Sequence, residues 1–322
     1  MHVPVLLEEA VALLCGQGDD VDTARASADE GRVREGIYVD ATFGRGGHTR
    51  RLLARLGPAS AVIALDRDPA AVAAGRALAE SEPRLTVRHG NFAELARILD
   101  ELAIGSVQGV LMDLGVSSPQ LDEPERGFSF RHDAPLDMRM DPSTGITAAE
   151  WLNEASEQEI ARVLKEYGEE RFARRVAAAI VAARPLATTA DLVEAVRAGQ
   201  PRQTPGKHDA TRVFQAVRIQ VNDELGALRR GLEAAFDRLA GGGRLAVISF
   251  HSLEDRAVKQ FFRRQSTPPA LPRRLPVRGD AGRAPGRLVG RPVKASAAEA
   301  AANPRARSAR LRVLERVRED VA

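Results

Sequence analysis

Asp40, three glycines and His48 fall within nine residues, in the run Tyr38-Val-Asp-Ala-Thr-Phe-Gly-Arg-Gly-Gly-His48. An apolar run ends in an acid, turns through Gly44, Gly46 and Gly47, and continues into Thr49-Arg-Arg-Leu-Leu-Ala-Arg-Leu56. That order reads as strand, turn and helix. Glycines at such a turn let the backbone pass close to a ligand and tolerate positive φ. They also offer main-chain N–H groups at a helix N-terminus. About twenty residues after Gly46, a second apolar run, Ala61-Val-Ile-Ala-Leu65, ends in Asp66. A nucleotide-binding βαβ unit carries at that point the acid that takes ribose hydroxyls. The spacing points to a nucleoside-containing cofactor.

What is missing narrows the cofactor. A dinucleotide site reads G-x-G-x-x-G, and here Thr49 stands in the last glycine position. Asp40, just before the turn, would repel a pyrophosphate but hold a cationic amino group through charge-assisted hydrogen bonds. S-adenosylmethionine has ribose hydroxyls, a cationic amine and no phosphate, so it is the expected ligand. A nicotinamide-dependent oxidoreductase is disfavoured by Thr49. An ordinary glycine turn would leave both Asp40 and Asp66 unexplained.

A second constellation is Val110-Leu-Met-Asp113-Leu-Gly-Val-Ser117-Ser118-Pro119-Gln120-Leu-Asp122, a strand running into a turn with two serines and a proline. Methyltransferases acting on exocyclic amines carry an acid or amide with a nearby proline at this point. The N4 lone pair of cytosine is delocalised into its ring and is a poor nucleophile. Acceptors that hydrogen-bond the amine protons hold it in line with a sulfonium methyl, so most of the gain is positioning and electrostatics. Asp113, or carbonyls of the Ser117–Pro119 turn, would serve. The competing reading keeps Asp113 as a cofactor contact and the serines as a turn, and the sequence leaves both open. Phe92, after Gly90-Asn91, suits either an adenine face or the core. His48 reads as a main-chain cofactor contact, not a base. His251, in Ser249-Phe-His251-Ser252-Leu-Glu-Asp255-Arg256, is either a site residue or a loop residue with a structural hydrogen bond. The six histidines are scattered without metal spacing, so no metal is expected. The single cysteine, Cys15, reads as a small apolar side chain of the first helix and excludes an intramolecular disulfide.

The elements that must position these residues alternate. Strands are expected at 37–41, 61–65, 85–89, 107–113 and 244–250, with helices at 69–81 and 92–102 between them. This pattern means an α/β fold with a doubly wound, mostly parallel sheet covered on both faces. Ligands then sit at the carboxyl ends of the strands, near the switch in strand order. Gly46, Asp66, Phe92 and Asp113 all fall there. The alternation stops over 137–216, where only helices are expected, so that block reads as an inserted helical substrate-recognition domain. Residues 1–136 and 217–322 would form the catalytic domain, with 17–36 a surface insertion of no catalytic weight. A final edge strand is expected at 308–317.

Charge is uneven along the 322 residues. The chain carries a formal +3, yet 263–318 holds fifteen Lys/Arg against three Asp/Glu. Its prolines suit a segment that stays extended until it lies on a polyanion, with nucleic acid the natural partner and Arg273, Arg274 and Arg278 as contacts. Aromatics make up only 4%, too few for a broad stacking surface. No apolar run reaches the roughly 18 residues of a membrane span. The N-terminus has no basic region ahead of an apolar one, so a cytoplasmic protein is expected.

As a set, these motifs resemble one family. They are Asp40-Ala-Thr-Phe-Gly-Arg-Gly-Gly-His48, Asp113-Leu-Gly-Val-Ser-Ser-Pro-Gln-Leu-Asp122, Gly127-Phe-Ser-Phe-Arg131 and Pro135-Leu-Asp-Met-Arg-Met140. With them go Ala210-Thr-Arg-Val-Phe-Gln-Ala216, Asn222-Asp-Glu-Leu225, Ile248-Ser-Phe-His-Ser-Leu-Glu-Asp-Arg256 and Asn303-Pro-Arg-Ala-Arg-Ser308. The pattern covers nearly the whole chain and resembles the bacterial ribosomal RNA small subunit methyltransferase H family, also called MraW. The resemblance implies a class I methyltransferase fold with a helical insert and methylation of cytidine N4 in the decoding centre of 16S rRNA. The implied donor is S-adenosylmethionine, and 16S rRNA or the assembled small subunit is the implied partner. The family's cofactor contacts map onto Gly46, Gly47, His48, Asp66, Phe92, Asp113 and Gln120. Many relatives carry cysteines near what is here Gln265–Arg274, and this chain has none, so a metal or redox role there does not apply. Two other readings remain: an amino-methyltransferase acting on DNA, and a non-catalytic RNA-binding assembly factor. The sequence leaves the oligomeric state open, a homodimer included.

Overall fold

Aliphatic runs in which every second residue faces the same way become the buried strands of the computed structural model, which describes residues 4–16, 34–201, 210–268 and 283–318. The expected surface insertion at 17–36 thus lies almost wholly outside the described residues, as do Arg273, Arg274 and Arg278. The chain divides into two compact units, one of Met1–Gly115 with Ala227–Ala322 and one of Val116–Gly226.

In the first unit, β1 (Ile37–Asp40), β2 (Ala61–Asp66), β3 (Leu85–His89), β4 (Val107–Asp113), β5 (Leu239–Ser249), β6 (Gly286–Lys294) and β7 (Arg310–Arg316) form one sheet. Its order is β3-β2-β1-β4-β5-β7-β6. The first five strands run parallel, while β7 is antiparallel to β5 and β6 antiparallel to β7. Strand order therefore reverses between β1 and β4, and the crevice outside their carboxyl ends is the expected ligand position.

Period-two alternation splits the strands between two cores. Tyr38, Val62, Ala64, Leu111, Ala246 and Ile248 pack on α1 (Leu7–Leu14), α2 (Gly47–Arg55) and α3 (Pro69–Ala79), through Leu52, Leu53 and Val72 among others. Val39, Ile63, Leu65, Val110, Met112 and Val247 pack the opposite way, on Ile98 and Leu99 of α4 (Leu95–Glu101). That face also takes Leu228 and Leu232 from the helix Glu224–Asp237, and Phe261 and Phe262 from the helix Ser252–Gln265. Burial on both faces explains why these strands read as near-continuous apolar runs.

Two expectations are corrected. The strand expected at the edge, 308–317, is interior: β7 lies between β5 and β6. Among the described residues the edge on this side of the sheet is β6, inside the basic stretch that reads as extended chain. Pro292 is tolerated on an edge, and the register shifts between Val289 and Val293, around Gly290 at φ 61°. Much of the described part of that stretch is thus ordered as β6, a helix at Ala297–Ala302 and β7.

The second unit is helical. After a short helix α5 (Ser118–Asp122) come α6 (Ala148–Glu154), α7 (Glu157–Gly168), α8 (Ala173–Ala182), α9 (Thr189–Gly199) and α10 (Thr211–Val221). Numbered on in chain order, the helix Glu224–Asp237 is α11, Ser252–Gln265 is α12 and Ala297–Ala302 is α13. Thr147 and Thr188 close capping boxes with Glu150 and Asp191, and Ser156 caps α7. Each cap satisfies N–H groups that the first helical turn would otherwise leave bare. The core is built on Leu152, Ile160, Leu164, Val176, Ile180, Leu192, Val213 and Val217.

The compact unit is longer than the helical block expected at 137–216. Phe128, Leu136 and Met138 are buried in the same core. The Asn222 amide donates to the Met138 carbonyl at 2.7 Å and accepts the Met140 N–H at 2.7 Å. Met138 is thereby held at φ 60°, a backbone setting that a non-glycine residue keeps only when its surroundings determine it.

Candidate active site

The turn between β1 and α2 begins with Gly44, whose N–H donates to Asp66 Oδ2 at 2.7 Å. Asp66 Oδ1 accepts the Asp68 N–H at 2.9 Å, and Asp68 in turn caps α3 through the Ala70 N–H. The end of β2 is thus tied to both the glycine turn and the next helix. Gly46 has φ 73°, and a Cβ there would meet the Phe43 ring at 2.6 Å. At Gly47 a Cβ would meet Pro4 Cγ at 2.1 Å. Neither position admits a side chain without displacing Phe43 or Pro4. Burial pushes Asp66 up to about 6, against the pull of its two N–H donors, with Asp68 and Asp40 adding to the rise.

Asp40 takes a different place from the one its sequence position suggests. It is 1% exposed. Oδ2 accepts the Thr49 hydroxyl at 2.6 Å, and Oδ1 accepts the Thr42 N–H at 3.2 Å. Burial raises its pKa, opposed by these bonds. Thr49, the residue that departs from the dinucleotide pattern, is therefore the donor that locks Asp40 to α2.

Asp113 ends β4. Its N–H donates to Thr42 Oγ1 at 2.7 Å, so the same short loop that follows Asp40 also fixes the end of β4. Oδ2 lies 3.6 Å from His48 Nδ1, while the other oxygen, Oδ1, is buried and has no hydrogen-bond partner among the described residues. Burial raises the Asp113 pKa to about 6; His48 pulls it down, and Asp40 and Glu254 push it up. His48 is buried, and its Nε2 lies 3.2 Å from the Val5 carbonyl oxygen.

The remaining sequence candidates separate. Phe92 is half-buried, opening a 3₁₀ turn capped by Asn91. A Cβ on Gly231 of α11 would sit 2.5 Å from Phe92 Cδ2, so that side of the ring packs closely on the helix. Gln120 belongs to the second unit, where its Oε1 accepts the Ser117 N–H in a capping box opening α5. His251 is the N-cap of α12: its Nδ1 accepts the Glu254 N–H at 3.4 Å, and Glu254 Oε2 accepts the Phe250 N–H at 2.8 Å. That geometry favours the structural reading of His251.

The structure thus brings Gly44, Gly46, Gly47, His48, Asp66 and Asp113 together around the ends of β1, β2 and β4. Sequence reasoning missed Thr42 and Glu254. Thr42 sits inside the glycine motif and was legible only as a spacer. Glu254 follows His251 by three, the spacing of a capping box, though with histidine in place of serine or threonine.

The sheet order, the glycine turn and the acids at the ends of β2 and β4 belong to an α/β protein with the class I methyltransferase fold. The chain belongs to the MraW methylase family, whose model matches residues 1–317. It is 55% identical over 324 residues to a ribosomal RNA small subunit methyltransferase H of Thiobacillus denitrificans, covering 99% of this chain and 98% of that protein. A protein of the same name from Azoarcus sp. is 55% identical over 320 residues, 98% and 96% of the two chains. One from Dechloromonas aromatica is 52% identical over 320 residues, 98% of each. The family resemblance drawn from the motifs therefore holds. Among the described residues, no helix is long and apolar enough to cross a membrane.

Proposed function

We propose that this chain methylates the N4 exocyclic amine of a cytidine in the decoding centre of 16S rRNA, within the small ribosomal subunit or its precursor in the cytoplasm. The donor is S-adenosylmethionine, and the residues present fit it. Asp66 and Asp113 keep acceptor capacity beyond the bonds they make in the protein, and they stand beside a turn that presents main-chain N–H groups. That set suits hydroxyls and a cation, and it disfavours a phosphate.

When bound, the donor supplies an electrophilic sulfonium methyl group. Asp66 takes the ribose hydroxyls, and its bonds to the Gly44 and Asp68 N–H groups hold the carboxylate in one orientation for them. The Gly46 N–H already donates to the Phe43 carbonyl at 2.7 Å, so the amides of Gly47 and His48 would meet the donor, and Phe92 would take its base. The Asp113 carboxylate accepts a hydrogen bond from the target amine. Orientation and a waiting acceptor are what the weakly nucleophilic N4 needs, so a strong base is unnecessary. The helical unit and the basic C-terminal stretch grip the RNA.

The observation that carries this reading is the Asp113 carboxylate at the end of β4, 26% exposed beside the glycine turn, with Oδ2 3.6 Å from His48 Nδ1. The test is methyl transfer from labelled donor to small subunits, naked 16S rRNA and DNA in parallel. Label on N4 of one cytidine in the ribosomal substrates supports the proposal. Label on DNA alone, or on none of the three, overturns it.

A further inference from the structure

The sequence reads His48 as a main-chain cofactor contact, yet its ring occupies a defined place of its own. Nε2 lies 3.2 Å from the Val5 carbonyl oxygen. A carbonyl only accepts, so this contact requires the proton on Nε2. The acceptor is firmly held. Pro4 packs on Gly47, and Leu6, at φ 53°, gives its N–H to Glu299 Oε1 at 2.7 Å. With Nε2 protonated, a neutral imidazole turns the bare Nδ1 lone pair toward Asp113 Oδ2, 3.6 Å away. Lone pair would then face a carboxylate with nothing between them. A proton on either partner converts that opposition into attraction, as imidazolium with carboxylate or imidazole with carboxylic acid.

We propose that His48 is a positioning residue for Asp113: the ion-pair contact of its Nδ1 with Oδ2, across 3.6 Å, orients the carboxylate and favours its ionised form for the target amine. This rests on the methyl-transfer role given to Asp113 above. In the step itself, the amine nitrogen forms a bond to the methyl carbon and the carbon–sulfur bond breaks with its electron pair going to sulfur. The cationic nitrogen then passes one proton to the Asp113 carboxylate. Among the described residues, the charged groups that face Asp113 are His48 from α2, Asp40 from the end of β1 and Glu254 from α12. Of these only His48 favours the ionised carboxylate, so its removal acts in one direction. Because Asp113 carries its proton more readily without His48, the acid limb of the reaction moves to higher pH.

The experiment is single-turnover methyl transfer to small subunits at saturating donor, from about pH 5 to about pH 9, for the parent, His48→Gln and Asp113→Asn. The expected result is an acid limb displaced upward by roughly one unit or more in His48→Gln. An unchanged acid limb in an active His48→Gln protein overturns the pairing. Because His48 is buried, a second measurement protects against a variant that fails to fold. In the ¹⁵N-histidine-labelled parent, the Nδ1 resonance of His48 should shift at neutral pH when Asp113 becomes Asn, and its Nε2 resonance should keep the protonated signature. Identical Nδ1 resonances in the two proteins also overturn the pairing. If Asp113→Asn retains the full rate, the catalytic role of Asp113 falls, whatever His48 does. If Asp113→Asn is slow while the acid limb of His48→Gln stays in place, only the pairing falls.

Discussion

Thr49 Oγ1 donates to Asp40 Oδ2 at 2.6 Å, joining the last residue of β1 to the first turn of α2. The bond spans the glycine turn, so it holds the turn's two ends while the glycines between them curve. Thr49→Val keeps the shape and removes the donor, leaving a fully buried carboxylate short of one partner. The variant should lose roughly 1–3 kcal/mol of stability. Urea unfolding reads this as a lower midpoint at an unchanged slope. A midpoint equal to the parent's would mean that the bond carries no weight in the fold.

Asp66 should govern donor affinity. Asp66→Asn retains one acceptor oxygen for the Gly44 or Asp68 N–H and loses the charge that ribose hydroxyls engage. Hydrogen bonds to charged groups are worth about 1.5–3 kcal/mol, so affinity for the donor should fall roughly tenfold to a hundredfold. Calorimetry with S-adenosylmethionine on the folded variant measures it, and unchanged affinity would remove Asp66 from the site.

The acids of the site also set a pH dependence of stability. Asp66 and Asp113 both rise to about 6 on folding, from the ordinary aspartate value of 3.8. The folded state therefore binds more protons than the unfolded state between those values, and the stability these groups contribute is lost as pH rises through about 6. Asp113→Asn removes one such group. Relative to the parent, the variant should gain stability between about pH 4 and about pH 7, by at most roughly 3 kcal/mol. Parallel stability curves for the two proteins across that range would show that burial does not strain Asp113.

What was legible in the sequence is what lies close together along it. Asp40, the glycines and Asp66 belong to one β-α-β passage, so their spacing alone carries the geometry. The parallel strands were legible because burial on both faces leaves them apolar throughout, as in Val110-Leu-Met112. The pairing of His48 with Asp113 was not, because it joins residues 65 positions apart through the order of β1 and β4 in the sheet. β6 escaped because an edge strand needs neither an apolar face on both sides nor an unbroken ladder, and Arg287, Arg291 and Pro292 masked it. The first limit of the helical unit was set by tertiary burial of Phe128 and Leu136, which no local propensity announces.

RNA binding should be strongly salt-dependent if the basic stretch contacts phosphates. Arg291, Lys294 and Arg307 are exposed on its described part. Replacing all three with alanine should weaken binding to 16S rRNA and reduce the slope of log affinity against log salt by roughly 0.7–0.9 for each phosphate no longer neutralised. Donor affinity should stay as in the parent. A slope equal to the parent's would make these three a solvated surface and move the RNA contacts elsewhere.

Mass spectrometry of 16S rRNA from cells lacking this protein, before and after complementation, bears on the proposed reaction without any intermediate assumption. N4 methylation at one decoding-centre cytidine should be absent in the deletion strain. It should return with the parent gene and stay absent with Asp113→Asn. Full N4 methylation of the decoding centre in the deletion strain would refute the assignment of this reaction to the chain.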